Sequence, residues 1–305
     1  RMVRNFQIRN SLPSRPTRVC RNIIGPWSSR RMSSIKAAVH CARSPMPSHS
    51  IIRNLQDYEN EYKNASFEPV QAVLRKQLII SQLQRYNARR ILKVGCDMTP
   101  LFDSGLEFEK MTVVEPGASF SANARAMSAD DARITVVEST LEDAVSARLL
   151  KGQTFDFIVA AALLHEIPDP SSFLQALKTI CTPQTTIHLS VPNARSLHRL
   201  LAMEMGLIPD IHVVSDRQIR LQQHHTFDMD ELRQLCLHTG FMILDEGSHF
   251  IKPFTHDQMQ KLRNVGVLTD SMLHGMVGLE RHLPGLGSEI YVNLRTNIPS
   301  HNQPH

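Results

Sequence analysis

The sequence predicts an α/β fold, a parallel sheet covered by helices on both faces, on three observations. Five short apolar runs recur between residues 91 and 193, segments of helical period separate them, and two later runs alternate in polarity with no helix between them of the same kind. Strands buried on both faces read as continuous apolar runs, and strands that alternate with helices make parallel crossovers.

The elements follow in chain order. Residues 66–86 place Val70, Val73, Leu74, Leu78, Ile79 and Leu83 at helical spacing, with Pro69 acceptable in the first turn. Asn87 to Arg90 break that period, and ILKVG (91–95) and MTVVE (111–115) read as the first two strands. A helix over 118–127 leads to ITVVE (134–138), and 141–150 form the next helix. FDFIVAAALL (155–164) is the fourth strand, SSFLQALKTIC (171–181) a helix, and TTIHLSVPN (185–193) the fifth strand. Residues 196–226 are rich in Leu, Met and His without a strand. Their LLAMEMGL stretch (200–207) is expected to pack as a cap on the core rather than lie on a membrane or gate the substrate. DMDELRQLCLHTG (228–240) is a capped helix ending at Gly240. FMILDEG (241–247) and EIYVNLR (289–295) suit an antiparallel edge, with helical sequence between them.

Composition narrows the class. The chain has 305 residues, 42% apolar and 21% charged, which is enough for a full core and excludes collagen-like or wholly disordered chains. No run approaches the roughly 18 to 20 apolar residues that a membrane span needs, so a soluble protein is expected. The formal charge of +5 is uneven. Eleven Lys or Arg residues precede Asp57, the first acid, and the other 23 face 29 acidic residues. The folded part is therefore mildly acidic, and a nucleic-acid partner is not expected. Residues 1–46 form an Arg- and Ser-rich, acid-free leader with the composition of an organellar transit peptide. The expected compartment is the cytoplasm, or the mitochondrial matrix where that leader is a genuine transit signal. Five cysteines without a C-x-x-C pair argue against a disulfide framework or a thiolate metal site. His165 and Glu166 do not complete an H-E-x-x-H motif, because Asp169 takes the place of the second His. No metal is expected.

The expected organisation is a leader over 1–46, a helical segment over 47–90, a cofactor-binding core over 91–193, and an acceptor cap with the closing strands over 194–305. In an open parallel sheet, ligands bind beyond the carboxyl ends of the strands. Gly95 lies there, where the lack of a side chain lets a ligand approach backbone, followed by Cys96 and Asp97 in the turn. Glu115, twenty residues on, ends the second strand, and its two oxygens can accept both hydroxyls of a ribose. A dinucleotide site would need G-x-G-x-x-G to cradle a pyrophosphate, and Cys-Asp-Met-Thr-Pro follows Gly95 instead. A phosphate-free nucleoside such as S-adenosylmethionine fits better than NAD.

ILKVGCD, VVEP, FDFIVAAALLHEIPDP and VPN, in this order and separation, resemble the class I S-adenosylmethionine-dependent methyltransferases, in particular the ubiquinone-biosynthesis-like group. The resemblance covers about residues 66–250. It implies a Rossmann-like sheet of seven strands, the final one antiparallel, with helical cap insertions. It also implies that the Gly95 turn meets the methionine part of the cofactor, Glu115 the ribose, Thr140 and Leu141 the adenine, and Ala161, Ala162 and Leu163 the far side. Two departures stand out: Lys93 where most members carry an acid, and Asp97, Met98 and Thr99 where they carry glycines. Asp97 is the residue that would replace the missing carboxylate.

Methyl transfer asks for an aligned nucleophile and, for a hydroxyl, a proton acceptor, for which histidine suits neutral pH. His198, His212, His224, His225 and His249 follow the fifth strand, and His224 or His225 is the expected base. Asn193, Arg195, His198 and Arg199 are the expected acceptor contacts, with Lys252 a further cation for an anionic acceptor. The expected activity is O-methylation of a small molecule. The competing reading is a non-catalytic binding or assembly subunit that keeps the fold.

Overall fold

A computed structural model describes residues 54–96 and 98–297. The leader over 1–46 and Asp97 lie outside the described residues. The described chain builds a seven-stranded sheet flanked by helices, as the sequence predicts. Strands β1 (Arg90–Val94), β2 (Lys110–Val114), β3 (Ile134–Val137), β4 (Phe157–Ala161), β5 (Thr186–Pro192), β6 (Phe241–His249) and β7 (Glu289–Thr296) lie in the order β3-β2-β1-β4-β5-β7-β6. The pairs from β3 to β5 are parallel, and β7 runs antiparallel to both β5 and β6. The order reverses between β1 and β4, so the crevice lies beyond the ends of those two strands.

The pleat explains why the central strands are apolar throughout. Leu92, Val94, Ile158 and Ala160 pack under Leu141, Phe173, Leu174 and Leu232 on one face. Ile91, Met111, Val113, Phe157 and Val159 pack under Ile79, Leu83 and Phe120 on the other. Every one of these sheet positions is buried, so no polar alternation survives in the sequence.

Helix ends fall where side chains satisfy the first amides. Helix α2 (Glu68–Arg85) carries Pro69 in its first turn, and α3 (Ala118–Met127) crosses from β2 to β3. Thr140 caps α4 (Leu141–Ser146) by accepting the Asp143 amide, and Asp169 caps α5 (Pro170–Thr179) through Ser171 and Ser172. After β5 come α6 (Leu197–Glu204), α7 (Asp216–Arg220) and α8 (Met229–His238), the last held by a capping box of Asp228 and Glu231. Helices α9 (His256–Asn264) and α10 (Asp270–Gly278) occupy the stretch between β6 and β7. They form a third apolar cluster in which Met259, Leu268 and Leu273 meet Phe67 and Leu74 of the α2 region.

One reading is corrected: the helix expected over 141–150 stops at Ser146, and the chain then turns with Arg148 in the left-handed region. Helix α1 (Leu55–Lys63) precedes α2 within the segment over 47–90 expected to be helical, where its polar sequence sets no bounds for it. Among the described residues no helix is long and apolar enough to cross a membrane.

Candidate active site

The crevice at the β1–β4 switch point holds a cavity of about 440 Å³. Its wall is built from the strand ends. Gly95 follows β1 at φ +72°, and a Cβ added there would meet only Leu163 methyl carbons at 3.9 Å, inside the space a ligand would use. Glu115 follows β2 and is buried, 6% exposed. One of its oxygens accepts the Cys96 amide at 2.7 Å and the other the Gly117 amide at 2.7 Å. The carboxylate keeps lone-pair capacity for a hydroxyl donor. Desolvation raises the Glu115 pKa, against the opposing pull of the two amides and Lys93. A Cβ at Gly117 would come within 2.7 Å of Glu59 Oε1 and 2.8 Å of Glu115 Oε1, so a larger residue there would displace both carboxylates.

Thr140, Leu141, Ala161, Ala162 and Leu163 all line this cavity, as do Gly95 and Cys96. Cys96 is buried, its Sγ 3.7 Å from the Phe120 carbonyl, and both its amide and its thiol favour the ionised Glu115. Lys93 reaches the wall too, where its Nζ donates to the Val94 carbonyl at 3.2 Å. Three carboxylates, Glu115, Glu142 and Glu166, share the wall with that single described cation. Such a wall favours a sulfonium and disfavours a diphosphate.

Helix α1 closes the cavity from above. Tyr58 and Tyr62 line it and meet the Phe120 ring edge-on at 6.4 and 5.7 Å. Glu59 accepts the Ser119 amide at 3.1 Å, which ties α1 to the first turn of α3. At the other end of α1, Asn54 and Gln222 exchange two hydrogen bonds of 2.8 and 2.9 Å with the cap. The only hints of α1 in the sequence are the Asn54 cap and the i, i+4 pair of tyrosines.

A second cavity of about 170 Å³ adjoins the first. Tyr58, Tyr62, Ala162 and Glu166 line both, so they form the junction between them. Its wall is polar and includes Glu68, Arg75, His165, His198, His225, Lys252 and His256. The turn Leu164–Glu166 after β4 brings His165 and Glu166 side by side, with Nε2 and Oε1 3.7 Å apart and both side chains buried. The sequence shows His165 and Glu166 only as an incomplete H-E-x-x-H motif and assigns the pair no place in the site. Its position directly after the strand at the switch point is the signal that could have found it.

The remaining expected residues separate. His224 lines neither cavity; its amide and that of His225 both donate to the His165 carbonyl, at 2.9 and 3.1 Å. His225 does line the second cavity, with Nε2 3.4 Å from the Pro168 carbonyl. His198 lines it as well, and burial with Lys252, His256 and Arg199 nearby drives its pKa well down. Asn193 is on the wall but spends its amide on the Gly285 and Gly287 carbonyls, at 3.0 and 2.8 Å. Arg199 donates to the Ile211 and Val213 carbonyls and so fastens the cap. Arg195 is exposed and lines neither cavity. His212 pairs with Asp228 and Glu231 at the surface, acids already engaged in the α8 capping box. His249 bonds the Leu74 carbonyl at 3.1 Å.

Comparisons with known proteins agree with this geometry. A methyltransferase domain family matches residues 61–246. No curated protein matches the chain by sequence. The fold resembles that of the plantazolicin methyltransferase BamL, in complex with a triazolic desmethylPZN analog and SAH, at 15% identity over 80% of this chain and 91% of that one, with a TM-score of 0.52. It also resembles a putative sarcosine dimethylglycine methyltransferase from Galdieria sulphuraria, at 12% identity over 79% and 97% of the two chains and a TM-score of 0.51. With a buried acid after β2 and a single described cation on its wall, the first cavity suits S-adenosylmethionine, and the chain belongs to the methyltransferase domain family.

Proposed function

We propose that the protein moves a methyl group from S-adenosylmethionine in the first cavity to a hydroxyl of a small-molecule acceptor in the second. The observation that carries this reading is the shared wall: Glu166 lines both cavities, together with Tyr58, Tyr62 and Ala162. S-adenosylmethionine supplies an electrophilic methyl on a sulfonium. What remains for this chain is to bind, align, exclude water and take a proton.

Glu115 would hold the ribose, with its oxygens pre-set by the Cys96 and Gly117 amides. Thr140 and Leu141 would flank the adenine, and the Gly95 turn would pass beside the methionine part. Tyr58 and Tyr62 cover the cavity from α1 and keep water from the junction. The His165–Glu166 pair is the proton acceptor that the geometry favours over His224, because it sits where the two cavities meet. His225, on the same wall, faces the Pro168 carbonyl with its Nε2 and would orient the acceptor.

Transfer of tritiated methyl to a panel of small hydroxyl compounds tests the reading. Label should move to an acceptor, and Glu166→Gln should lower kcat by about 10²- to 10⁴-fold, the usual contribution of a positioned base. Tight S-adenosylhomocysteine binding with no transfer to any small molecule would instead support a binding subunit that retains the fold.

A further inference from the structure

Away from the junction, the wall of the second cavity carries a buried ammonium whose hydrogen bonds are dictated by two carboxylates. Lys252 is 1% exposed. Glu289, at the start of β7, receives the Arg75 guanidinium through both oxygens, at 3.0 and 2.9 Å, and also the Gln71 amide nitrogen at 2.7 Å. That fixes the Gln71 amide with its oxygen towards Lys252, whose Nζ donates to it at 3.2 Å. Glu68 is held by Arg75 and Arg217, each at 3.1 Å, and its Oε2 lies 3.3 Å from His256 Nε2. The charge of that carboxylate favours a proton over a lone pair on Nε2, although the contact is not aligned as a hydrogen bond, so Nδ1 keeps its lone pair and accepts from Lys252 Nζ at 3.0 Å. Two of the three ammonium protons are thereby committed. The third is left for the cavity that Lys252 lines.

Charge points to the ligand. Arg75 and Arg217 already offset Glu68 and Glu289, and His256 is neutral because burial drives its pKa to about 4. The same wall also carries Arg199 and Glu166, one charge of each sign. A protonated Lys252 is therefore one positive charge in excess. We propose that this excess is matched by the acceptor itself: the second cavity takes a singly charged hydroxy acid, with its carboxylate on Lys252 Nζ and its hydroxyl towards Glu166. A phosphate dianion would overshoot the balance. The inference rests on the two-cavity reading above and names its substrate class.

The proton balance agrees. Burial brings the Lys252 pKa down to about 7, with Glu68 and Glu289 opposing and Arg217 and Arg75 assisting. The titratable groups around it are Glu68 and Arg75 of α2, His198 of α6, Arg217 of α7, His256 of α9 and Glu289 of β7. Above neutral pH the empty site sheds the lysine proton, and an arriving carboxylate raises that pKa, so binding takes a proton up.

The test is calorimetric titration of benzoate, benzamide and inorganic phosphate into the S-adenosylhomocysteine complex at pH 8, in two buffers of different ionisation enthalpy. Benzoate should bind at least about tenfold more tightly than either other probe and should take up part of a proton. Lys252→Met should lose at least about tenfold in benzoate affinity while S-adenosylhomocysteine affinity holds, since Lys252 does not line the first cavity. Benzamide binding as tightly as benzoate, phosphate binding more tightly, no benzoate binding, or an unaffected variant would each overturn the assignment. The wild-type comparison decides the matter even if the variant fails to fold. Failure of S-adenosylhomocysteine to bind would count against the methyltransferase reading alone, because benzoate can then be titrated into the unloaded protein.

Discussion

One Glu115 oxygen accepts the Cys96 amide at 2.7 Å, so the acid that ends β2 is locked to the turn that ends β1. Its direction is set before any ligand arrives, which removes an ordering cost from cofactor binding. Glu115→Ala should therefore weaken S-adenosylhomocysteine by at least about tenfold, since hydrogen bonds to a charged group contribute about 1.5–3 kcal/mol. Isothermal titration reads the change, and equal affinities would remove Glu115 from the site.

Affinity should also depend on pH through the same group. Burial raises the Glu115 pKa, and ribose hydroxyls bind the ionised form. Cofactor affinity should fall as pH is lowered through that raised pKa, earlier than an ordinary carboxylate would dictate. Lys93 holds the pKa down, so Lys93→Met should move the midpoint of that fall to higher pH. A midpoint that stays in place would show that Lys93 has no electrostatic part in the site.

Gly95 bends the chain at φ +72°, a conformation that strains any residue with a Cβ. Gly95→Ala should cost about 1 kcal/mol in stability, read by urea unfolding. The loss in cofactor affinity should be larger, because the added methyl points at Leu163 within the cavity.

The strands and their order of appearance were legible in the sequence because burial on both faces leaves continuous apolar runs that polar loops interrupt. The antiparallel edge was legible for the opposite reason: FMILDEG and EIYVNLR keep an alternation that parallel central strands lose. Glu115 and Gly95 were legible because their chemistry depends on strand ends twenty residues apart. The bounds of helix α1 were not, since the one residue it buries is the polar Glu59 and it depends on contacts with α3 and the cap. The acceptor wall was not legible either. Glu68, the Lys252–His256 stretch and Glu289 come from three segments far apart in the chain, and only the fold brings them together.

Helix α1 should act on cofactor release more than on stability. Glu59→Ala removes the bond to the Ser119 amide and one anchor of the Tyr58–Tyr62 cover. Losing such a cap costs about 1 kcal/mol in stability. The dissociation rate of S-adenosylhomocysteine, measured by stopped-flow competition, should rise by more than that loss alone accounts for. An unchanged rate would make α1 a passive neighbour.

The buried charge network should be the protein's acid-sensitive point. Burial opposes ionisation of Glu68, yet His256, Arg75 and Arg217 together hold its pKa far below the ordinary 4.5. Such an acid contributes stability that is full above its unfolded pKa and is lost as pH falls through the folded one. Glu68→Gln should cost about 3–5 kcal/mol at neutral pH, as breaking a buried ion network from one side does. Its thermal midpoint should then decline less steeply in acid than that of the wild type.

The most direct measurement is a crystal structure of the protein with S-adenosylhomocysteine. The ribose hydroxyls should lie on Glu115, the adenine beside Leu141, and the sulfur at the Tyr58–Ala162–Glu166 opening, facing the polar cavity. A ligand whose sugar lies away from Glu115, or whose sulfur points to a wall closed from the second cavity, would contradict the account.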